Sequence, residues 1–143
     1  MGYRISQRST KFFIAKELAD EALAAIKELA KKPDQMTGFA VSGGEVTDRF
    51  FGWVNTDKFV QAKTLVEALR AWRWEAEEDE VGNIIDLHFL GEKLGDDDTL
   101  FDAIAPFVRS GSFVTIHGED GYIWQWTFEE GRLSHRTGEV VFS

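Results

Sequence analysis

Residues 111–128 read GSFVTIHGEDGYIWQWTF, and this stretch decides the fold. Apolar residues alternate with polar ones on both sides of residues 118–121, a spacing that places every second side chain on one face of a strand. Glycine and aspartate in the middle favour a tight turn between two antiparallel strands. The stretch therefore predicts a β-hairpin with one face formed by Val114, Ile116, Tyr122, Trp124, Trp126 and Phe128.

The sequence on either side contains signals for three helices and several further strands. Apolar residues at helical spacing predict helices over residues 16–32, from Asn55 to about Trp72, and from Asp98 to about Pro106, with Asn55 and Asp98 as N-caps. Short β-branched and aromatic runs predict a first strand ending near Ala15, a hairpin over 74–89, and strands at 133–136 and 140–142. Glycines favour a loop over 33–47, or a short strand at 39–41.

This order of elements predicts the fold class. Hairpins beside helices indicate a mostly antiparallel twisted sheet with about three helices packed on one face, an α+β fold. A length of 143 residues with 43% apolar composition fits a single domain over residues 1–143.

The composition also excludes several classes of function. The chain has no cysteine, which rules out disulfides and thiolate catalysis and suits a reducing cytoplasm. No apolar run approaches the ~20 residues of a membrane span, so we expect a cytoplasmic protein that does not enter a membrane. Phosphate-binding glycine motifs are absent as well. We expect a binding protein without catalytic residues or a cofactor rather than an enzyme.

The histidines and the aspartate cluster do not predict a metal site. His88, His117 and His135 lie in predicted strands without the close spacing of metal ligands, although strands could bring His88 and His117 together beside Asp86. The aspartates at 96–98 lack the ligand pattern of a calcium-binding loop, and a helix-capping role explains them better.

The negative charge is concentrated in one segment. Residues 73–102 contain eleven acidic and two basic residues and so account for the whole net charge of −9. A field of this sign repels phosphate backbones, which argues against direct nucleic-acid binding and favours a basic protein partner. The predicted partner-binding residues are Trp74, Glu75, Glu77, Glu78, Asp79, Glu80, Glu92, Asp96, Asp97 and Asp98. The alternative is that these acids only keep the protein soluble.

Trp74 belongs to the predicted partner-binding residues because Trp72 and Trp74 flank Arg73 at a predicted helix-to-strand junction. Neighbouring strand residues point to opposite faces, so at least one indole is expected to be exposed to a partner.

An alternative function rests on the aromatic stripe. Tyr122, Trp124 and Trp126, with His117, would form a small-molecule or nucleotide site in a pocket beside the glycine-containing loop at 38–44. The simpler interpretation is that the stripe is the buried face of a helix-covered sheet. A third possibility is self-association through an exposed sheet edge.

Several stretches resemble a known group of proteins. Residues 91–97 (GEKLGDD), the Ala-Pro-Phe at 105–107, the turn at 118–121 with the aromatics after it, and the Met-Gly-Tyr opening resemble small uncharacterised proteins of actinobacteria and bacteriophages. The resemblance implies a single-domain α+β fold and a bacterial or phage setting. In a phage setting the partner would be a host defence or nucleic-acid-handling protein, inhibited through its phosphate-binding surface.

Overall fold

The hairpin predicted from residues 111–128 forms the middle of a four-stranded antiparallel sheet in the computed structural model, which describes residues 2–138. The strands are β1 (Ile5–Lys11), β2 (Gly38–Ser42), β3 (Glu45–Phe50), β4 (Trp74–Glu78), β5 (Ile84–Phe89), β6 (Ser112–Gly118), β7 (Ile123–Glu129) and β8 (Arg132–Gly138). The helices are α1 (Ala19–Glu28), α2 (Thr56–Val60), α3 (Leu65–Ala71) and α4 (Asp97–Ile104). The predicted α+β fold with antiparallel sheets is confirmed.

The main sheet has the strand order β1-β6-β7-β8, and β2–β3 and β4–β5 form separate two-stranded sheets. In β6 and β7, Val114 lies opposite Trp126 and Ile116 lies opposite Trp124, so the predicted apolar stripe shares one face. The strand predicted at 133–136 is part of β8. The strand predicted at 140–142 falls outside the described residues.

The β4–β5 hairpin continues the main sheet along the free side of β1. At one end Ile14 and Ile84 exchange backbone hydrogen bonds of 3.0 and 2.9 Å, and at the other Leu94 N–H donates to the Tyr3 carbonyl at 2.8 Å. Between these ends the Gln7 side chain replaces the backbone ladder: its amide N–H donates to the Leu87 carbonyl at 2.7 Å, and its oxygen accepts from Phe89 N–H at 2.8 Å.

Helices cover one face of this extended sheet and enclose the core. Phe101 of α4 packs against Trp74, Trp126 and Phe128, with ring centroids 5.1, 4.9 and 5.8 Å apart. All four side chains are completely buried. Burying each stabilises the fold by about 1.5–3 kcal/mol. Trp124, Trp126 and Phe128 on β7 are therefore core, as the simpler interpretation of the sequence held, whereas Tyr122, which precedes the strand, is exposed.

Three predicted elements differ in detail. The helix expected from 55 to 72 is two helices, because Thr64 accepts a hydrogen bond from Glu67 N–H at 3.2 Å and so caps a separate α3. The region expected to be a loop, or a short strand at 39–41, forms the β2–β3 hairpin. Asp98 was expected to cap the third helix, but α4 begins at Asp97, and the cap position belongs to Asp96, two residues earlier. Within residues 2–138, none of the helices has the length and apolar character needed to span a membrane.

Candidate functional site

The acidic segment does not form one continuous surface, because part of it is buried. Asp96 is 8% exposed, and its Oδ2 accepts hydrogen bonds from Thr37 N–H, the Thr37 hydroxyl and Gly52 N–H at 3.2, 3.0 and 2.9 Å. This carboxylate ties the start of α4 to the segments on either side of the β2–β3 hairpin. Asp96 is thus a structural residue and cannot contact a partner through its carboxylate.

Asp97 is more deeply buried. Its side chain has no exposed surface and accepts hydrogen bonds from Arg73 Nη2, Trp74 Nε1 and Gly95 N–H, each at 3.0 Å. Burial raises the pKa of the Asp97 carboxyl, against the opposing effects of the Arg73 guanidinium and of the Gly95 and Trp74 N–H groups. The prediction that Asp97 contacts a partner is therefore wrong, because its buried carboxylate pairs with Arg73 inside the fold.

The expectation of an exposed indole at residues 72–74 is also wrong. Trp72 and Trp74 are both completely buried, because Trp72 packs among Phe51 and Phe59 while Trp74 packs against Phe101 and donates to Asp97. Arg73 between them has a φ of 74°, which turns the chain sharply enough to send both indoles inward.

Three other predicted residues have partners inside the chain. Asp98 is exposed but accepts a hydrogen bond from Trp126 Nε1. Asp79 accepts from the N–H groups of residues 81–83 and from the Asn83 amide, and the Asn83 side chain is the chief cause of its lowered pKa. Glu92 lies 3.9 Å from Arg4. The three acids therefore lie apart, at the start of α4, in the β4–β5 turn and in the loop after β5.

The residues of the alternative ligand site are not assembled around a common pocket. Trp124 and Trp126 are buried, whereas Tyr122 is 46% exposed. Ile116 lies opposite Trp124, so the next residue, His117, points to the other face of the sheet. The cleft beside the β2–β3 hairpin is lined by none of these four residues. The geometry therefore gives no support to an aromatic-lined ligand site.

The acids that remain free lie on the β4–β5 hairpin. Trp74 and Ala76 face the core, so Glu75 and Glu77 point to the open face of the sheet. Glu75 pairs with Arg70 at 3.1 Å. Within residues 2–138 no lysine or arginine nitrogen lies within 4.0 Å of Glu77, Glu78 or Glu80, all of which are exposed. We call Glu77, Glu78, Glu80 and Asp86 the acidic hairpin.

Two of these carboxylates directly oppose each other. Glu77 on β4 lies opposite Asp86 on β5, next to the Glu75–His88 pair. His88 Nε2 lies 3.7 Å from Asp86 Oδ2, and one ligand atom from each of Glu77, Asp86 and His88 falls within 4.8 Å of the others. Asp86 and His88 also line a cavity of about 250 Å³ with Gln7, Arg8 and Thr10. His88 therefore joins Asp86 as the sequence allowed, but His117 does not, because β1 separates β5 from β6.

Sequence reasoning missed the pairing of Glu77 with Asp86. Both residues were counted in the negative segment, but their juxtaposition depends on the strand register, which shifts between Glu77 and Glu78. The alternation that predicted the hairpin would have placed both on its outer face. No protein-family model matches the sequence, and comparisons with curated proteins and with solved structures find no match.

Proposed function

We propose that this chain is a non-catalytic binding protein and that its acidic hairpin holds a basic segment of a protein partner. The observation that carries this proposal is the Glu77–Asp86 pair, in which two carboxylates lie across an antiparallel strand pair. Like charges in this position destabilise a sheet. Positions that break a local rule of folding are typical of functional sites. A cation supplied by a partner would remove the repulsion.

Arginine is the side chain that suits this arrangement best. Its planar guanidinium donates two parallel hydrogen bonds to a carboxylate and stays charged at all relevant pH values. Glu78 and Glu80 continue the negative charge to the end of the hairpin, so an arginine-rich segment can contact several carboxylates together. Such contacts raise the association rate and weaken as salt screens them.

In the bacterial or phage setting that the sequence resemblance implies, the partner we propose is a host defence or nucleic-acid-handling protein. Proteins of this kind have basic surfaces for phosphate backbones, and an array of carboxylates is complementary to such a surface. The acidic hairpin would then inhibit the partner by occupying its phosphate-binding surface.

The test is a charge reversal on the hairpin with a matched control. Glu77→Lys, Glu78→Lys and Glu80→Lys together reverse three of the four acids of the acidic hairpin but spare Asp79, whose hydrogen bonds hold the turn. The control variant reverses Asp34, Asp102 and Glu129, three exposed acids elsewhere, and has the same net charge. Calorimetry with a short arginine-rich peptide at low and high salt measures binding. We expect salt-sensitive binding to the wild type and the control, and none to the hairpin variant; equal affinities for both variants would contradict the proposal.

A second candidate function is favoured by the three ligand atoms of Glu77, Asp86 and His88. Two carboxylates and an imidazole are a donor set that Zn²⁺ and Mn²⁺ accept. Calorimetry with each metal separates the two functions, because His88→Ala should abolish metal binding and leave peptide binding intact. A His88→Ala variant that binds metal as the wild type does would exclude this second function.

A further inference from the structure

Arg109 is held over the ring of Phe13 by contacts that leave its charge unpaired. Its guanidinium carbon lies 3.6 Å from the centroid of the Phe13 ring, and its backbone N–H donates to the Phe13 carbonyl at 2.9 Å. Within residues 2–138 no carboxylate oxygen lies within 4.0 Å of the Arg109 guanidinium. A guanidinium that stacks on a ring keeps the N–H groups in its plane available to an acceptor. Arg109 is therefore positioned to bind an anion.

The same two side chains line a cavity of about 390 Å³ between the end of β1, the strand β5 and the loop before β6. Lys11 lines this cavity as well. Lys11 and Phe13 alternate with the buried Phe12 and Ile14, so both point away from the core. Over the part of the chain that the structure describes, no carboxylate lies within 4.0 Å of the Lys11 amine. The cavity thus combines two unpaired cations with an aromatic surface, at a volume typical of a ligand pocket.

Asp86 connects this cavity with the acidic hairpin. It lines the cavity from β5 and lies opposite Glu77 in the strand pair. Its Oδ1 accepts a hydrogen bond from Leu87 N–H at 2.8 Å, and its Oδ2 lies 3.7 Å from His88 Nε2. Two cations against this one acid give the cavity a net positive charge. A positive cavity therefore borders the negative strand pair, and one ligand can contact both.

On the basis of the function proposed above, we propose that the segment held by the acidic hairpin carries a carboxylate next to its arginine, and that this cavity binds the carboxylate. We call Lys11, Phe13, Asp86 and Arg109 the carboxylate cavity. The in-plane N–H groups of Arg109 can donate two parallel hydrogen bonds to a carboxylate, and Lys11 supplies a second positive charge. The arginine of the same segment lies on Glu77 and Asp86, so the two charges of the ligand meet opposite charges side by side.

A carboxylate fits this position better than a phosphate ester. A phosphate ester carries a charge of about −1.5 to −2 at pH 7, so the neighbouring acids of the hairpin repel it more strongly than they repel a carboxylate. The planar carboxylate also matches the planar guanidinium. Ile85, 40% exposed at the wall of the cavity, gives the carbon chain that carries the carboxylate an apolar contact. The carboxylate can belong to an acidic side chain or to the end of a polypeptide.

The first experiment measures binding of three forms of one arginine-rich peptide by calorimetry: an amidated form, a form with a free terminal carboxylate, and an amidated form with an internal glutamate. Charge alone predicts weaker binding of the last two, because the chain has a net charge of −9. We expect at least one of them to bind about five- to tenfold more tightly than the amidated form. If the amidated form binds and neither carboxylate strengthens the complex, the cavity proposal fails and the acidic hairpin proposal stands. If no form binds, both fail.

The second experiment locates the carboxylate. Lys11→Gln with Arg109→Gln should leave binding of the amidated peptide in place and remove the gain from the carboxylate. Lys63→Gln with Arg136→Gln is the control, because both residues are exposed, lie outside the cavity and lower the positive charge equally. Nuclear magnetic resonance of the wild type adds a readout that does not depend on a variant: the Arg109 Nε–H signal should shift with the carboxylate peptide and stay in place with the amidated one. Equal shifts with both peptides, or a gain that survives the double change at Lys11 and Arg109, would overturn the proposal.

Discussion

Arg73 Nη2 donates a hydrogen bond to Asp97 Oδ2 at 3.0 Å, across 24 residues of sequence and with no exposed surface on the carboxylate. The same guanidinium donates from Nη1 to the Lys93 carbonyl at 2.6 Å. One side chain therefore joins the start of β4, the loop before α4 and the first turn of α4. The Trp74 indole completes the contact from the core side.

Removing Asp97 should be among the most damaging single changes in the chain. Asp97→Ala leaves Arg73 largely buried without a counter-charge, and breaking one side of a buried pair costs about 3–5 kcal/mol of unfolding free energy. Asp97→Asn keeps one acceptor oxygen and should lose less. Urea denaturation measures both. Asp102→Ala, exposed one turn later in α4, is the control and should change stability by about 0.5 kcal/mol or less. Similar losses for Asp97→Ala and Asp102→Ala would refute this role.

Gln7 should determine how firmly the β4–β5 hairpin adheres to the main sheet. Gln7→Ala leaves the Leu87 carbonyl and the Phe89 N–H without their partner, at about 1–3 kcal/mol for each partly buried group. Hydrogen exchange should show faster exchange of the Phe89 amide, with little change inside β6 and β7. Ser6→Ala, at the exposed neighbouring position, should leave the Phe89 amide protected. Unchanged protection of the Phe89 amide in Gln7→Ala would show that the contact between the β4–β5 hairpin and β1 does not depend on this side chain.

Local sequence signals were sufficient for the elements that have one buried face. The period-two pattern of 111–128 predicted the hairpin and its apolar residues because the inward face is apolar and the outer face is polar; the register that places Val114 opposite Trp126 comes from the structure. The break between α2 and α3 was missed although a signal was present: Thr64 and Glu67 have the spacing of a capping box. Gly43 and Gly44, both with positive φ, similarly mark the turn of the β2–β3 hairpin between its apolar residues.

The candidate site was harder to predict because charge alone does not determine exposure. Asp97 and Glu77 belong to the same negative segment. Asp97 is buried in an ion pair with Arg73, which is distant in sequence, whereas Glu77 is exposed on a strand face. Composition predicted that the segment is acidic. Which acids remain available depends on contacts with residues such as Thr37 and Gly52, which only the folded chain brings near Asp96.

Gly118 is required because Tyr3 occupies the space where a side chain would lie. A Cβ at position 118 would overlap the Tyr3 hydroxyl and ring. Gly118→Ala should therefore lower the unfolding free energy by about 1–3 kcal/mol, as overpacking does. In a Tyr3→Ala background the same change should be neutral or stabilising, because alanine suits a strand better than glycine. Chemical denaturation of the four proteins in this double-mutant cycle measures the coupling. Additive effects would show that the two residues do not compete for this space.

Tyr3 should also give the stability a dependence on alkaline pH. The hydrogen bond from its hydroxyl to Asp120 is the chief cause that raises the pKa of Tyr3 from 10.0 to about 12, with smaller contributions from burial and from the Asp120 charge. Between these two values the folded chain keeps a proton that the unfolded chain has lost. The contribution of Tyr3 to stability is therefore complete below pH 10 and declines as pH rises toward 12.

Tyr3→Phe should remove this decline, which thermal unfolding followed by circular dichroism can measure across the alkaline range. The chain has only two tyrosines, so Tyr122→Phe is the natural control and should keep the decline. In Tyr122→Phe the phenolate absorbance of the folded protein reports on Tyr3 alone. An absorbance midpoint near pH 12 is expected, because the phenol gives up its proton only when the bond to Asp120 is lost. A midpoint near pH 10 would mean that Asp120 does not hold the Tyr3 hydroxyl in solution.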